Sequence, residues 1–123
     1  MKQIIFDTDV LIDLLRGNKA TLDQVLAVTD NSQLFCSVIT IAEIYAGMYP
    51  KEKIATDKLL DSLVPISVTN FIARLAGSLR NEYKHVELAD CLIAASALNL
   101  NAVLVTKNAR HYPMKKLNLQ VIK

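Results

Sequence analysis

The chain has 123 residues, of which 52% are hydrophobic and 21% charged, a composition that excludes a disordered polymer and fits one folded domain over residues 1–123. Its net charge of +2 is too small to indicate a nucleic-acid-binding protein by itself. No apolar run approaches the roughly 20 residues of a membrane span, and the N-terminus lacks a signal-peptide pattern. We therefore expect a cytoplasmic protein without a membrane partner.

Short β-branched runs alternate with helical patterns along the chain. In chain order the predicted elements are a strand at 3–6, a helix from Thr8 to Gly17, a helix capped by Asn18, a strand at 34–39, a helix opened by Thr40, an amphipathic helix at 51–63, a strand at 65–68, a helix from Thr69 to about Lys84, a nearly all-apolar helix at 87–100, and strands at 102–105 and 119–122. This alternation predicts an α/β fold with three layers, α/β/α, around a mainly parallel sheet of about five strands.

Three acidic residues are predicted to meet at one edge of this sheet. Asp7 ends the first strand, Glu43 lies in the first predicted turn after the second strand, and Asp90 lies in the first turn of the apolar helix. Ligands of open parallel sheets bind at the carboxyl ends of the strands, where these residues belong. Because clustered carboxylates repel, a divalent cation is expected to compensate them, and a set of oxygen ligands favours magnesium or manganese.

Each of the three residues has a simpler interpretation. Asp7 can cap the first helix, and Glu43 stands three residues after Thr40, the spacing of a capping box. Asp90 can interact with its helix dipole, although no lysine or arginine within residues 87–100 can pair with it.

The neighbouring acidic residues have less certain roles. Asp9 is expected near the site, whereas Asp13 is expected to be a solvated helix residue. Glu87, one turn before Asp90, either adds a carboxylate or favours the start of the helix.

Four spaced segments resemble the signature blocks of PIN-domain ribonucleases, with the greatest likeness to the VapC toxins of bacterial toxin–antitoxin pairs. The segments are FDTDVLI at 6–12, AEI at 42–44, ADCLIAASA at 89–97 and LVTKNARHY at 104–112. They span the chain in the family's order, which makes the combination far more specific than any one block.

The resemblance implies a metal-dependent endoribonuclease in which Asp7, Glu43 and Asp90 bind Mg²⁺ or Mn²⁺. Thr8 and Thr106 would support them at the same edge of the sheet. The family further implies an RNA substrate, a small antitoxin partner and a homodimer. Many PIN domains carry a fourth acidic residue after the block-four threonine, but Asn108 occupies that region here, as a hydrogen-bonding residue or a turn residue.

A basic segment follows the fourth predicted strand. Lys107, Arg110 and His111 can contact RNA phosphates, and Tyr112 can stack on an unpaired base. The alternative for each residue is a solvated connection, and the spacing of His111 does not favour a role as general base over a surface position.

Two rival functions remain open from the residues. An apolar strand that ends in Asp-x-Asp also begins the haloacid-dehalogenase-like phosphotransferases, in which the first aspartate is a nucleophile and the second a general acid. Here Val10 and Leu11 replace the usual Gly-Thr, and the chain is short for that fold. The second rival is a PIN-like domain that binds RNA or a partner without cutting.

Overall fold

Five parallel strands form the centre of the molecule, in the order β3-β2-β1-β4-β5. The computed structural model describes all 123 residues. The strands are β1 (Lys2–Phe6), β2 (Ser32–Ser37), β3 (Val64–Ile66), β4 (Val103–Thr106) and β5 (Asn118–Val121). All four pairings between neighbours are parallel, which confirms the predicted sheet.

Six helices cover the two faces of the sheet. They are α1 (Thr8–Leu15), α2 (Lys19–Val28), α3 (Val38–Gly47), α4 (Lys53–Asp61), α5 (Asn70–Glu82) and α6 (Leu88–Leu100), with 3-10 turns at Pro50–Glu52 and Ala109–His111. Along β1, Ile5 packs into a core with α5 and α6, whereas Ile4 and Phe6 pack into a core with α1, α3 and α4. Successive strand residues point to opposite faces, so two cores confirm the three-layer architecture. None of the six helices could span a membrane.

The strand order changes direction beside β1. The chain builds β2 and β3 on one side of β1 and then returns to place β4 and β5 on the other. At such a switch point the connections leave in opposite directions, and a crevice opens at the carboxyl ends of the strands. The amide of Asp7 donates to the carbonyl oxygen of Val105 at 3.0 Å, so Asp7 sits at this crevice between β1 and β4.

Several predicted helix ends are confirmed. The side chain of Asn18 accepts from the amide of Thr21, and that of Thr69 accepts from the amide of Ile72, each at 3.1 Å. Gly17 follows α1 with a φ of 74°, a left-handed conformation that glycine adopts without strain.

The predicted start of α3 at Thr40 is wrong. Ser37 caps this helix by accepting from the amide of Ile39 at 3.1 Å, and β2 ends at Ser37 rather than Ile39. The apolar β-branched run 38–39 has no period that separates strand from helix, which explains the error. Thr40 lies inside the helix, so the capping-box interpretation of Glu43 is wrong, and Glu43 lies in the second turn.

Candidate functional site

An open cleft of about 400 Å³ lies at the carboxyl end of β1. It is lined by Asp7, Thr8, Asp9, Ile12, Glu43, Glu87, Ala89, Asp90 and His111. The structure therefore brings the three predicted acidic residues to one cleft, together with Thr8, Asp9 and Glu87.

Asp7 forms the floor of the cleft and is only 4% exposed. Its Oδ1 accepts from the backbone amide of Thr8 at 2.9 Å, so Asp7 also caps α1. Its Oδ2 accepts from the hydroxyl of Thr106, the last residue of β4, at 2.8 Å. Capping and a site role are thus compatible, because the same hydrogen bonds fix the orientation of the carboxylate.

Glu43 reaches the cleft from the exposed face of α3. The hydroxyl of Thr8 donates to its Oε1 at 2.6 Å and also lies 3.0 Å from the hydroxyl of Thr40. Thr8 therefore joins α1 to α3 and orients Glu43 beside Asp7.

Asp90 enters the cleft from the first turn of α6, with a side chain that is 18% exposed. Its nearest polar neighbours are the hydroxyl of Tyr112 at 3.3 Å and Nδ1 of His111 at 3.5 Å. Burial raises the pKa of this carboxyl, and the negative charges of Asp7 and Glu43 raise it further. Residues 87–100 contain no lysine or arginine that could pair with it locally.

Tyr112 is a site residue that the sequence did not reveal. It was expected in an exposed segment that contacts RNA, but its ring is buried and only 2% exposed. Its hydroxyl donates to Oδ1 of Asp7 at 2.8 Å. Burial, with the adjacent charges of Asp7 and Asp90, raises the pKa of the phenol, which therefore stays protonated. The sequence signal for its burial was the spacing of Tyr112 and Met114, two apolar side chains two residues apart that are both buried.

The three residues 106–108 fasten the end of β4 to α1. Thr106 bonds to Asp7, Lys107 forms an ion pair with Asp13, and the side-chain amide of Asn108 donates to Asp9 at 2.8 Å. This arrangement places Asn108 and Asp9 together at the rim of the site.

The expectation of a solvated Asp13 is wrong. Its carboxylate accepts from Lys107 and, at 2.8 Å, from the hydroxyl of Thr21 on α2. The hydrogen bond from Lys107 and that from Thr21 lower the pKa of Asp13. Asp13 on α1 therefore binds both α2, through Thr21, and the segment after β4, through Lys107.

A second open space of about 560 Å³ lies beside the cleft and shares Glu87, Asp90 and His111 with it. Its other lining residues include Arg110 and His85. Arg110 and His111 are exposed, whereas Lys107 lies on the other side of the site with Asp13. His85 has no signal in the sequence, since it lies in the loop before α6 and only the fold brings it beside Arg110.

The comparison with known families decides between the folds that the opening strand allowed. The model of the PIN domain matches residues 4–117. This chain belongs to the PIN-domain family. The predicted resemblance is confirmed, and the haloacid-dehalogenase-like alternative is excluded by a match that spans nearly the whole chain.

Relatives of this PIN domain include the protein named Ribonuclease VapC10 from Mycobacterium tuberculosis, which is 36% identical over 115 residues, covering 90% of this chain and 86% of VapC10. A toxin–antitoxin complex from Klebsiella pneumoniae contains a chain with 28% identity and a TM-score of 0.82, covering 93% of this chain and 94% of that one. VapBC-1 from nontypeable Haemophilus influenzae has 26% identity and a TM-score of 0.79, with 97% of each chain covered.

The donor set of this PIN domain fits a divalent cation. Asp7, Glu43 and Asp90 offer carboxylate oxygens to one cleft, and such oxygens are the ligands that magnesium and manganese prefer. The three side chains do not converge on a single point, however: no three His, Cys, Asp or Glu residues lie close enough together to hold one ion. Instead, the Tyr112 hydroxyl lies between Asp7 and Asp90.

Proposed function

We propose that this PIN domain is a divalent-metal-dependent endoribonuclease that acts as the toxin of a toxin–antitoxin pair. The observation that carries the proposal is the meeting of Asp7, Glu43 and Asp90 in one cleft at the switch point of the sheet. The relationship to VapC10, which is named a ribonuclease, supports the assignment of RNA as substrate.

Asp7, Glu43 and Asp90 would hold the cation, and their oxygen chemistry favours Mg²⁺ or Mn²⁺. Such an ion, when bound, supplies positive charge that polarises a phosphate and lowers the pKa of a bound water. The hydroxyl of Thr106 holds Asp7 and the hydroxyl of Thr8 holds Glu43, so both carboxylates are already oriented before substrate arrives. Asn108 fixes Asp9 at the rim, where a further carboxylate can orient water.

The RNA backbone would cross the cleft and continue over Arg110 and His111. These two side chains and His85 border the space beside Asp90, where they can meet the phosphates that flank the scissile one. Lys107 contributes positive charge on the other side of the site, although its ion pair with Asp13 reduces what it offers to RNA. Both spaces are open to solvent, which suits a flexible single strand better than a rigid duplex.

The proposed partner is a small antitoxin that covers the cleft. The structure from Klebsiella pneumoniae is a toxin–antitoxin complex, and this chain matches one of its chains over 93% of its own length. We extend the proposal to a homodimer and to action in the cytoplasm, where cellular RNA is accessible.

Incubation of the purified chain with an RNA pool tests the proposal. Cleavage is expected with Mg²⁺ or Mn²⁺ and none with excess chelator, and sequencing of the new ends maps the cut sites. A matched control is Asp23→Asn, which removes an exposed carboxylate on α2 and should cut like the wild type. Metal-independent cleavage, or none under any condition, would contradict the proposal.

The same experiment separates the second candidate function, a domain that binds RNA without cutting it. Two observations favour that candidate: Asn108 stands in the region where many PIN domains have a fourth acid, and the three carboxylates do not converge on a single point. Retention of labelled RNA by the chain with every strand intact in Mg²⁺ and Mn²⁺ is its expected result.

A further inference from the structure

Tyr112 is the one side chain that contacts both the carboxylate of Asp7, which follows β1, and the carboxylate of Asp90 on α6. Its hydroxyl lies 2.8 Å from Oδ1 of Asp7 and 3.3 Å from Oδ1 of Asp90. These two acids are separated by more than eighty residues, and nothing else in the hydrogen-bond network joins them directly.

The ring of Tyr112 is held rigidly, so the hydroxyl position is set by the core rather than by solvent. The side chain is 2% exposed and belongs to the core cluster that contains Ile5 of β1 and Ile93 and Ala94 of α6. The backbone is fixed as well, since the amide of Tyr112 donates to the carbonyl of Ala109 at 3.0 Å in the 3-10 turn. A buried tyrosine normally requires a partner for its hydroxyl, and here both available partners are acids of the site.

A hydroxyl carries one proton and donates one good hydrogen bond. The shorter contact shows that Asp7 receives it, while Asp90 Oδ1 faces the same oxygen at a longer distance. Oδ2 of Asp90 then points to the His111 side of the site, 3.5 Å from Nδ1. The Tyr112 oxygen therefore stands between the two carboxylates, hydrogen-bonded to Asp7 and within 3.3 Å of Asp90.

We propose that Tyr112 is a positioning residue that sets the spacing and orientation of Asp7 and Asp90 for the divalent cation. This inference rests on the proposed metal-dependent function and adds a residue that acts through the carboxylates rather than on RNA. Outer hydrogen-bond partners of metal ligands commonly contribute roughly 10–100-fold in metal affinity or activity.

The variant Tyr112→Phe removes the hydroxyl and keeps the buried ring. Its matched control is Tyr83→Phe, because the Tyr83 ring packs against the same core cluster without a hydrogen bond from its hydroxyl. Calorimetric titration with Mn²⁺ is expected to show about a 10–100-fold weaker Kd for Tyr112→Phe and an unchanged Kd for Tyr83→Phe. The Mn²⁺ concentration for half-maximal RNA cleavage should rise by the same factor with the KM for RNA unchanged, a split that a general loss of folding would not produce.

A measurement on the wild-type protein covers the case in which Tyr112→Phe fails to fold. The buried Tyr112 hydroxyl proton should give a slowly exchanging NMR signal that shifts when Mg²⁺ is added, while the ring signals of Tyr83 stay in place. An unmoved hydroxyl signal in a wild type that binds Mg²⁺, or an unchanged Kd in Tyr112→Phe, overturns the role of Tyr112 alone. A wild type that neither binds Mn²⁺ nor cuts RNA overturns the proposed function and this inference with it.

Discussion

The hydroxyl of Thr106 donates to Oδ2 of Asp7 at 2.8 Å across a sequence separation of 99 residues. Thr106 is fully buried, and its oxygen also accepts from the amide of Asn108 at 3.0 Å. One hydroxyl thus links the end of β4 to Asp7, the proposed metal ligand that follows β1.

Thr106→Val should therefore impair both folding and the site. The change leaves a buried carboxylate oxygen and an amide without a partner, and hydrogen bonds to charged groups contribute about 1.5–3 kcal/mol to the free energy of unfolding. Urea denaturation in chelator measures that loss, and Mn²⁺ titration measures the expected weaker binding. Thr106→Ser, which keeps the hydroxyl, is the control, and a stability of Thr106→Val equal to that of Thr106→Ser would contradict the prediction.

Asp90→Asn should abolish RNA cleavage and yet stabilise the protein in the absence of metal. Burial and the charge of Asp7 raise the pKa of Asp90 in the native state, so its ionised form opposes folding at every pH above that pKa. Thermal unfolding at neutral pH in chelator should show a higher Tm for the variant. A lower Tm, or cleavage at the wild-type rate, would be inconsistent with the assignment.

Binding of Mn²⁺ should stabilise the wild type but not Asp90→Asn. Free Mn²⁺ at 100 times its Kd should stabilise the wild type by about 2.7 kcal/mol, because the ion binds the native state only. Asp90→Asn should lose this increase, whereas Asp23→Asn should keep it. Differential scanning calorimetry with and without chelator checks both variants, and an equal gain in Asp90→Asn would remove that residue from the proposed ligands.

Glu43→Gln should leave stability within about 0.5 kcal/mol of the wild type, because Glu43 is exposed and is not a capping residue. The rate of RNA cleavage should nevertheless fall about 100-fold or more, because Glu43 is a proposed ligand of the cation and a bound cation stabilises the transition state by several kcal/mol. Glu82→Gln, at the exposed end of α5, serves as the control. Wild-type cutting rates in Glu43→Gln would assign Glu43 a purely structural role.

The ion pair between Asp13 and Lys107 should appear in the pH dependence of stability. Its hydrogen bond from Lys107 lowers the native pKa of Asp13 below the unfolded value of about 3.9, so the stabilisation is complete above that pH and is lost as the pH falls through the native pKa. Asp13→Asn should flatten the acid limb of the stability curve. A double-mutant cycle with Lys107→Met should give about 0.2–1 kcal/mol of coupling at neutral pH, and zero coupling would contradict the pairing.

Arg110→Ala should weaken RNA binding without altering the metal site. Loss of one phosphate contact is expected to reduce the slope of log K against log salt by about 0.7 for single-stranded RNA. Fluorescence anisotropy in the Asp90→Asn background measures binding without cleavage. Lys19→Ala on α2 is the matched control, and an identical slope for Arg110→Ala and the parent would place the RNA elsewhere.

The order and type of the elements follow from local sequence. The first strand, predicted at 3–6, spans Lys2–Phe6, and the caps at Asn18 and Thr69 are as predicted, since periodicity and capping depend on neighbours within one or two turns. The acidic residues at the carboxyl ends could be grouped from topology alone, because parallel strands carry those ends to one edge.

Tertiary structure decided how these residues act. Tyr112 and Asp13 both seemed to be surface residues, yet one is buried between two acids and the other anchors Lys107 and Thr21. Their partners lie 8 to 105 positions away, so no local pattern encodes the contacts. Sequence by itself therefore determined which carboxylates share an edge, and only packing of the chain onto the sheet determined the hydrogen bonds that orient them.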